Sequence, residues 1–231
     1  MKTKLIFLLR FVLTIITTTA AMAEEPYSFE LTEAYHFTEK TDNWSIDISV
    51  PRISGMADEE EQAKLNEHFL TMKDSIRKGY EQDVEYAEQS PDEGNQPHFS
   101  YQYYWNMITD SDDYLVFRTS YFMAAGSSST ENEYWNLDKK TGKLLDFDKD
   151  AVTSPEQMAA IRKQIYSEMK ASVESGEGMY WIEDDTLDVQ LEKVGELNHW
   201  YYNSDGDLVI TFDKYEIAPG AMGSQEFVIV P

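Results

Sequence analysis

Apolar side chains fall at every second position through residues 44–50, where Trp44, Ile46, Ile48 and Val50 alternate with polar neighbours. That is the period of a half-buried strand. Pro51 is expected to end it, because proline cannot donate to a sheet ladder. A looser alternation precedes it, with Tyr27, Phe29, Leu31, Tyr35 and Phe37 as the apolar set. Beyond residue 58 the period changes. Ala63, Leu65, Phe69, Met72, Ile76, Tyr80, Val84 and Ala87 recur at steps of three and four after one step of two. The spacing predicts a long helix with one apolar stripe. Acidic residues 58–61 (DEEE) sit at its start, where carboxylates meet the positive end of the helix dipole. Gly79 is an interior weak point, costing about 1 kcal/mol relative to alanine. Residues 90–97 (SPDEGNQP) read as the loop that ends the helix.

Alternation then returns. Phe99, Tyr101, Tyr103, Trp105 and Met107 predict an aromatic strand, and Leu115, Phe117, Thr119, Tyr121 and Met123 its hairpin partner, with residues 110–113 as the turn. The small residues 124–130 (AAGSSST) read as a flexible loop, and a strand resumes at Tyr134, Trp135, Asn136 and Leu137 before the turn at 138–143. A second helix is expected from Pro155, with Ser154 as N-cap and Met158, Ile161, Ile165, Met169 and Val173 as its buried stripe. Residues 175–178 (SGEG) end it. Residues 200–202 and 208–212 form a hairpin around Ser204-Asp205-Gly206. The last twenty residues read as a strand end, a Pro219-Gly220 turn and a closing strand through Phe227 and Ile229 to Pro231. Strand-rich runs around two separated helices predict an α+β fold: mostly antiparallel sheet, with one long and one shorter helix packed on it. The organisation expected is one compact module in two halves, residues 24–128 and 129–231, behind a leader at 1–23.

That leader has the layout of a secretory signal peptide. Lys2 and Lys4 begin it, an apolar run occupies residues 5–16, and Ala21-Met22-Ala23 forms a small-x-small cleavage site. A membrane anchor is the competing reading. It needs about 20 uninterrupted apolar residues, and Arg10 and the threonines at 17–19 break that length. The expectation is an exported chain, periplasmic or extracellular, held to no membrane after cleavage. The chain has no cysteine, which removes disulfides, thiolate chemistry and cysteine zinc sites. Stability must come from the core, and about 200 residues can bury one. The net charge is −24, and the leader contributes only cations, so the exported part is more acidic still. Such a surface repels nucleic acid and steers cationic partners inward. The same acidity also serves solubility alone.

Three stretches carry a resemblance. Residues 50–55 (VPRISG), followed by Leu65-Asn66, form the first. Trp135-Asn136-Leu137-Asp138 with Lys140-Thr141-Gly142-Lys143 forms the second, and residues 215–223 (YEIAPGAMG) the third and most specific. Together they resemble a bacterial extracytoplasmic domain family of unknown function. That family forms the sensor region of the lysozyme-binding anti-sigma-V factor RsiV and precedes the catalytic domain of the peptidoglycan deacetylase PdaC. The resemblance implies a non-catalytic binding module whose partner is a cationic cell-wall enzyme such as lysozyme. A peptidoglycan-binding accessory is the alternative, and an uncharacterised cell-wall hydrolase the third reading. Members often carry a Gly-Gly-Ala-His-Gly-like loop where this chain reads Ala124-Ala125-Gly126-Ser127-Ser128, without histidine. Partner-contacting residues are expected at Gly126, Ser127, Ser128 and Ser129 and in the 215–222 turn at Tyr215, Pro219 and Met222, because small residues and proline enter a cleft at little entropic cost.

No catalytic constellation, cofactor motif or metal-ligand spacing is expected. His36, His68, His98 and His199 are not paired at metal-binding intervals, and each reads as a surface or satisfied interior histidine. Gly126-Ser127 lacks the following glycine of a nucleophile elbow. Residues 203–207 (NSDGD) put glycine fourth rather than sixth, so a hairpin turn explains them better than a calcium loop. The acidic runs at 146–150 and 183–185 read as solvated turns. The aromatic stripe from Phe99 to Trp105 could stack on sugars, but a sheet core is the commoner use of such alternation.

Overall fold

The computed structural model describes residues 25–89, 98–183 and 186–230. The leader with its cleavage site, the loop at 90–97 and the final Pro231 lie outside the described residues. Mixed α+β architecture with mostly antiparallel pairing and two long helices is what the structure shows. Its strands divide into two sheets, each carrying one of the helices.

The first sheet has the order β1 (Glu30–Lys40), β2 (Trp44–Ser54), β3 (Phe99–Asp110), β4 (Tyr114–Ala125), β5 (Ser127–Asp138) and β6 (Lys143–Leu144). Only β2 and β3 run parallel, and the long helix α1 (Glu59–Glu88) is the crossover between them. Pro51 does not end β2. It pairs opposite Glu33 beside a bulge in β1, and the parallel pairing to β3 has already stopped at Ile48. A missing N–H is tolerated where a ladder is interrupted or a strand side is unpaired. Further along, Asn66 of α1 supplies the missing ladder: its Oδ1 accepts from the Ile53 N–H and its Nδ2 donates to the Ile53 carbonyl, both at 2.9 Å.

α1 begins where expected. The Asp58 side chain accepts from the Glu60 and Glu61 N–H groups at 2.8 and 3.1 Å, and those bonds hold its carboxyl below the ordinary range. Leu65, Phe69, Ile76, Tyr80 and Ala87 are buried against β2 and β3, whereas Ala63 at the start of the stripe is exposed. The facing side chains include Ile46, Ile48, Val50, Phe99, Tyr101, Phe117 and Trp135. Phe99, Tyr101 and Tyr103 are therefore core, not a platform for sugars.

The sequence from 124 to 130 is not a loop. β4 and β5 pair without interruption up to Ala125 opposite Ser127, with Gly126 alone at the bend. Its φ of +74° is the left-handed conformation glycine adopts without strain. β5 therefore runs across residue 128, and the first sheet continues to Leu144.

A second core begins at Phe147. β7 (Trp200–Tyr202), β8 (Leu208–Phe212) and β9 (Gln225–Val228) form an antiparallel sheet. α2 (Pro155–Ser175) covers one of its faces with Ile161, Ile165 and Met169, meeting Trp200, Ile210, Phe212 and Phe227. Ser154 caps its N-terminus through the Gln157 N–H, and Gly176 closes it at φ +79°. A short helix not anticipated, α3 (Thr186–Glu192), buries Leu187 and Leu191 into the same core. The acidic run at 146–150 is likewise a single wide helical turn, capped by Asp146. The turn at 203–207 is a hairpin turn, in which Asn203 Oδ1 accepts from the Asp205 and Asp207 N–H groups.

The other face of the second sheet packs on the outer face of β4 and β5, giving the layer order α1, first sheet, second sheet, α2. Tyr201 and Val209 meet Val116 and Tyr134 there. Tyr114 stacks on Tyr202 with centroids 4.5 Å apart, and Tyr134 on Tyr201 at 4.8 Å. Buried Asn136 fixes the register. Its Nδ2 donates to the Trp200 carbonyl at 3.0 Å, and its Oδ1 accepts from the Tyr202 N–H at 2.9 Å. Thr109 adds a hydroxyl donated to the Tyr202 carbonyl.

Two stability measurements check this account. Asn136→Ala leaves both β7 backbone groups unpaired, and urea unfolding should register a loss of roughly 2–4 kcal/mol. Gly79→Ala should gain about 0.5–1 kcal/mol, because the nearest atom to an added Cβ, Tyr101 Cε1, lies 4.0 Å away. A loss in the second variant would mean that α1 needs the glycine for packing.

Candidate functional site

The β4–β5 hairpin brings residues 126–129 to the end of the first sheet, and the 213–223 segment that follows β8 reaches the same place. The Lys214 ammonium donates to the Ser128 carbonyl at 2.8 Å and to Ser128 Oγ at 3.1 Å. Tyr215 adopts φ +75°, unusual for a bulky residue, and its hydroxyl lies 3.4 Å from Ser127 Oγ. Ser127 and Lys214 together draw that hydroxyl below the usual tyrosine range. The Tyr215 ring lies over Gly220, so close that a Cβ there would meet Cζ at 2.2 Å. Pro219 opens the one-turn helix Gly220–Met222.

The seven residues singled out from sequence therefore divide. Gly126, Ser127, Ser128 and Tyr215 share one exposed or half-exposed tip, with Pro219 beside it through Gly220. Ser129 lies lower, on the wall of a cleft. Met222 faces elsewhere: its Sδ accepts from the Met179 N–H at 3.1 Å.

Below the tip is a polar cluster that the sequence did not single out. Asp213 is buried, and its carboxylate clamps Asn132 of β5, accepting from the backbone N–H at 2.9 Å and from Nδ2 at 2.5 Å. Ser120 Oγ donates to the Asn132 carbonyl oxygen at 2.8 Å. The His199 ring sits between two carboxylates, 3.5 Å from Asp213 and 3.6 Å from Glu216. Glu216 in turn accepts from the Asp213 N–H at 2.6 Å. Burial pushes the pKa of both carboxyls up, against the pull of Asn132 and His199 on Asp213 and of His199 on Glu216. On the opposite face of β5, His68 of α1 lies 3.2 Å from Glu133, which raises the histidine pKa. His199 and His68 are thus interior or half-buried histidines paired with acids. The only hint in the sequence was the placement of Asp213 and Glu216 on either side of Lys214-Tyr215. Asn132 comes to Asp213 from 81 residues away in the chain, through the sheet.

A cleft of about 370 Å³ wraps the edge of β5 between these two groups. Met72 and Tyr121, over the buried Tyr103, form its floor, and Glu131, Glu133, Glu216 and Lys214 line its wall. The Tyr103 hydroxyl is buried with no partner in good hydrogen-bonding geometry; burial drives its pKa far up, the Glu133 charge adds to the rise, and the nearby Thr119 hydroxyl opposes it. Among the described residues no helix is long and apolar enough to cross a membrane.

Comparison with known proteins agrees with the resemblance read from the chain. Residues 146–230 match the family described as Protein of unknown function (DUF3298). Over 213 residues, 90% of this chain and 72% of the other, the sequence is 29% identical to the anti-sigma-V factor RsiV of Bacillus subtilis. That relative is named as an anti-sigma factor and not as an enzyme. A solved member of the DUF3298 family from Bacteroides fragilis has a TM-score of 0.61 at 14% identity, covering 89% of this chain and 92% of its own. It shares the fold. A DUF3298 family protein from Pseudomonas aeruginosa gives 0.49 at 14% identity, over 90% and 92% of the two chains.

The cluster dictates a pH dependence. His68, Asp213 and Glu216 all have folded pKa values above their ordinary ones. Each contributes stability that is complete below its unfolded pKa and is lost as pH rises through its folded pKa. Urea midpoints should therefore fall between about pH 5.5 and about pH 8. His68→Gln should flatten the upper part of that fall. A midpoint that rises with pH would overturn the assignment of these shifts.

Proposed function

We propose that this chain, which carries a DUF3298 domain and is similar over most of its length to an anti-sigma-V factor, is an extracytoplasmic binding module without catalytic activity. Its partner is a cationic protein, most concretely a lysozyme. The observation that carries this reading is the convergence of the hairpin tip, Gly126 to Ser128, with Tyr215. Two segments separated by some 90 residues build one projecting surface of small side chains around a half-exposed tyrosine. Tyrosine is a residue type that often dominates interfaces, because it gives much contact area for little side-chain entropy.

The electrostatics support the same partner. A net charge of −24 steers a cationic protein toward the surface and raises the encounter rate. Specificity has to come from the tip, since long-range attraction carries no shape. Lys214 is held by Ser128 and covers the Tyr215 ring at 4.9 Å, so the tip is pre-ordered before any partner arrives. The secretory layout of residues 1–23 supports encounter outside the cytoplasm, where lysozymes act.

The test is a calorimetric titration of the exported chain with a chicken-type lysozyme at low and physiological salt, alongside muramidase assays. Binding should survive physiological salt and inhibit the enzyme. Tyr215→Gly keeps the left-handed backbone and removes the ring; it should weaken binding by about 30-fold, equivalent to about 2 kcal/mol. Unchanged lysozyme kinetics at micromolar protein would sink the reading, and binding that vanishes with added salt would reduce it to charge attraction.

A further inference from the structure

We propose that the cleft at the edge of β5 is a binding site for an organic cation, an ammonium or guanidinium head on an aliphatic stem. The cleft borders the tip surface, with Ser129 and Lys214 on its rim, but its chemistry is different. Its floor is Met72 with the ring of Tyr121, over the buried Tyr103, a surface for methylene groups and for the face of a cation. Its wall is acidic, with Glu131 and Glu133 at alternate positions of β5 and Glu216 across the opening.

The cations nearby are already engaged. Lys214 is bound to Ser128, His68 to Glu133, and His199 lies between Asp213 and Glu216. Glu131 has no ion-pair partner among the described residues.

A second feature points independently to a ligand. Tyr103 is 1% exposed and lines the cleft, yet its hydroxyl has no hydrogen-bond partner. A buried hydroxyl without a partner is uncommon in folded proteins, because its lost hydration is not replaced. A donor-rich head lying along the floor would supply one. The acids do not converge on a point: among the described residues no three His, Asp or Glu side chains are grouped to hold a metal ion. Spread carboxylates over an aromatic floor suit an extended or delocalised head, and the volume of about 370 Å³ falls in the range of small-ligand sites.

Such a head can come from a free amine or from a lysine or arginine of a bound protein. The probe is agmatine, a guanidinium and an ammonium on a four-carbon stem, titrated calorimetrically into the exported chain at physiological salt with neutral butylurea as control. One saturable site for agmatine and none for butylurea is expected. Glu131→Gln, which breaks no ion pair, should weaken agmatine about tenfold. Tyr103→Phe should melt no lower than the parent when unliganded but lose most of the agmatine-induced rise in melting temperature. Absence of saturable binding, equal binding of butylurea, or unchanged affinity in both variants would overturn the site. Lysozyme added to the agmatine complex separates the sources, and only this arm rests on the lysozyme reading. Displacement assigns the cleft to a partner side chain, simultaneous binding assigns it to a free cation, and both outcomes uphold it.

Discussion

Asn136 holds a buried strand backbone with both ends of its amide, and much of the molecule hangs from that contact. β7 has β8 on one side only; on its face toward the first sheet, the Trp200 carbonyl and the Tyr202 N–H would be buried and unpaired without Asn136. Four residues earlier on the same strand, Asn132 anchors the end of β8 by donating its backbone N–H and Nδ2 to the Asp213 carboxylate. β5 thus fixes the backbone of β7 and the exit of β8 with two asparagines spaced four residues apart. A purely apolar interface would tolerate sliding, whereas paired polar groups in a low-dielectric interior accept one register. The stacked pairs Tyr114–Tyr202 and Tyr134–Tyr201 then fill the space that register leaves.

The consequence reaches the surface. Lys214, Tyr215 and Glu216 follow directly on Asp213, so the Asn132 clamp sets where this segment leaves the second sheet. Lys214 closes the arrangement from outside by binding Ser128 on the same β5 strand, four residues from Asn132. One strand therefore holds the tip segment at two successive residues, Asp213 and Lys214. The left-handed Tyr215 backbone is sustained by this double attachment and by the close approach of Gly220.

The two faces of β5 carry opposite chemistry at matched positions. Glu131 and Glu133 face α1 and the cleft, while Asn132 and Tyr134 face the second sheet. The alternation places two acids over an aromatic floor within a few ångströms of a buried carboxylate–histidine cluster. The basic neighbours of these acids are already engaged, His68 with Glu133, His199 with Asp213 and Glu216, and Lys214 with Ser128. Acidity that appears in the composition as a uniform excess becomes a localised cleft through the pleat of one strand.

Local periodicity was enough for much of the architecture. Alternation at Trp44 to Val50 and Phe99 to Met123, the helical stripe from Leu65 to Ala87, the Ser154-Pro155 start of α2 and the turn at Ser204-Asp205-Gly206 all depend on neighbours within a few residues, and they stand as read. What failed had a non-local cause. Pro51 stays within β2 because its missing N–H falls beside a bulge in β1 and beyond the end of the β3 pairing, and Asn66 binds the strand again at Ile53. Residues 127–130 are strand because β4 pairs with them, although serines have no strong preference of their own. The α3 helix has too few residues for its Leu187–Leu191 spacing to stand out. Sequence by itself determined the two long helices and most of the strands, the absence of thiol chemistry, the acidic charge and the resemblance to an anti-sigma factor. Only the tertiary structure decided that Ser127 meets Tyr215, that Asn132 binds Asp213 and that Tyr103 is left without a partner at the floor of an acidic cleft, because each of those contacts joins residues that the chain holds far apart and the sheets bring together.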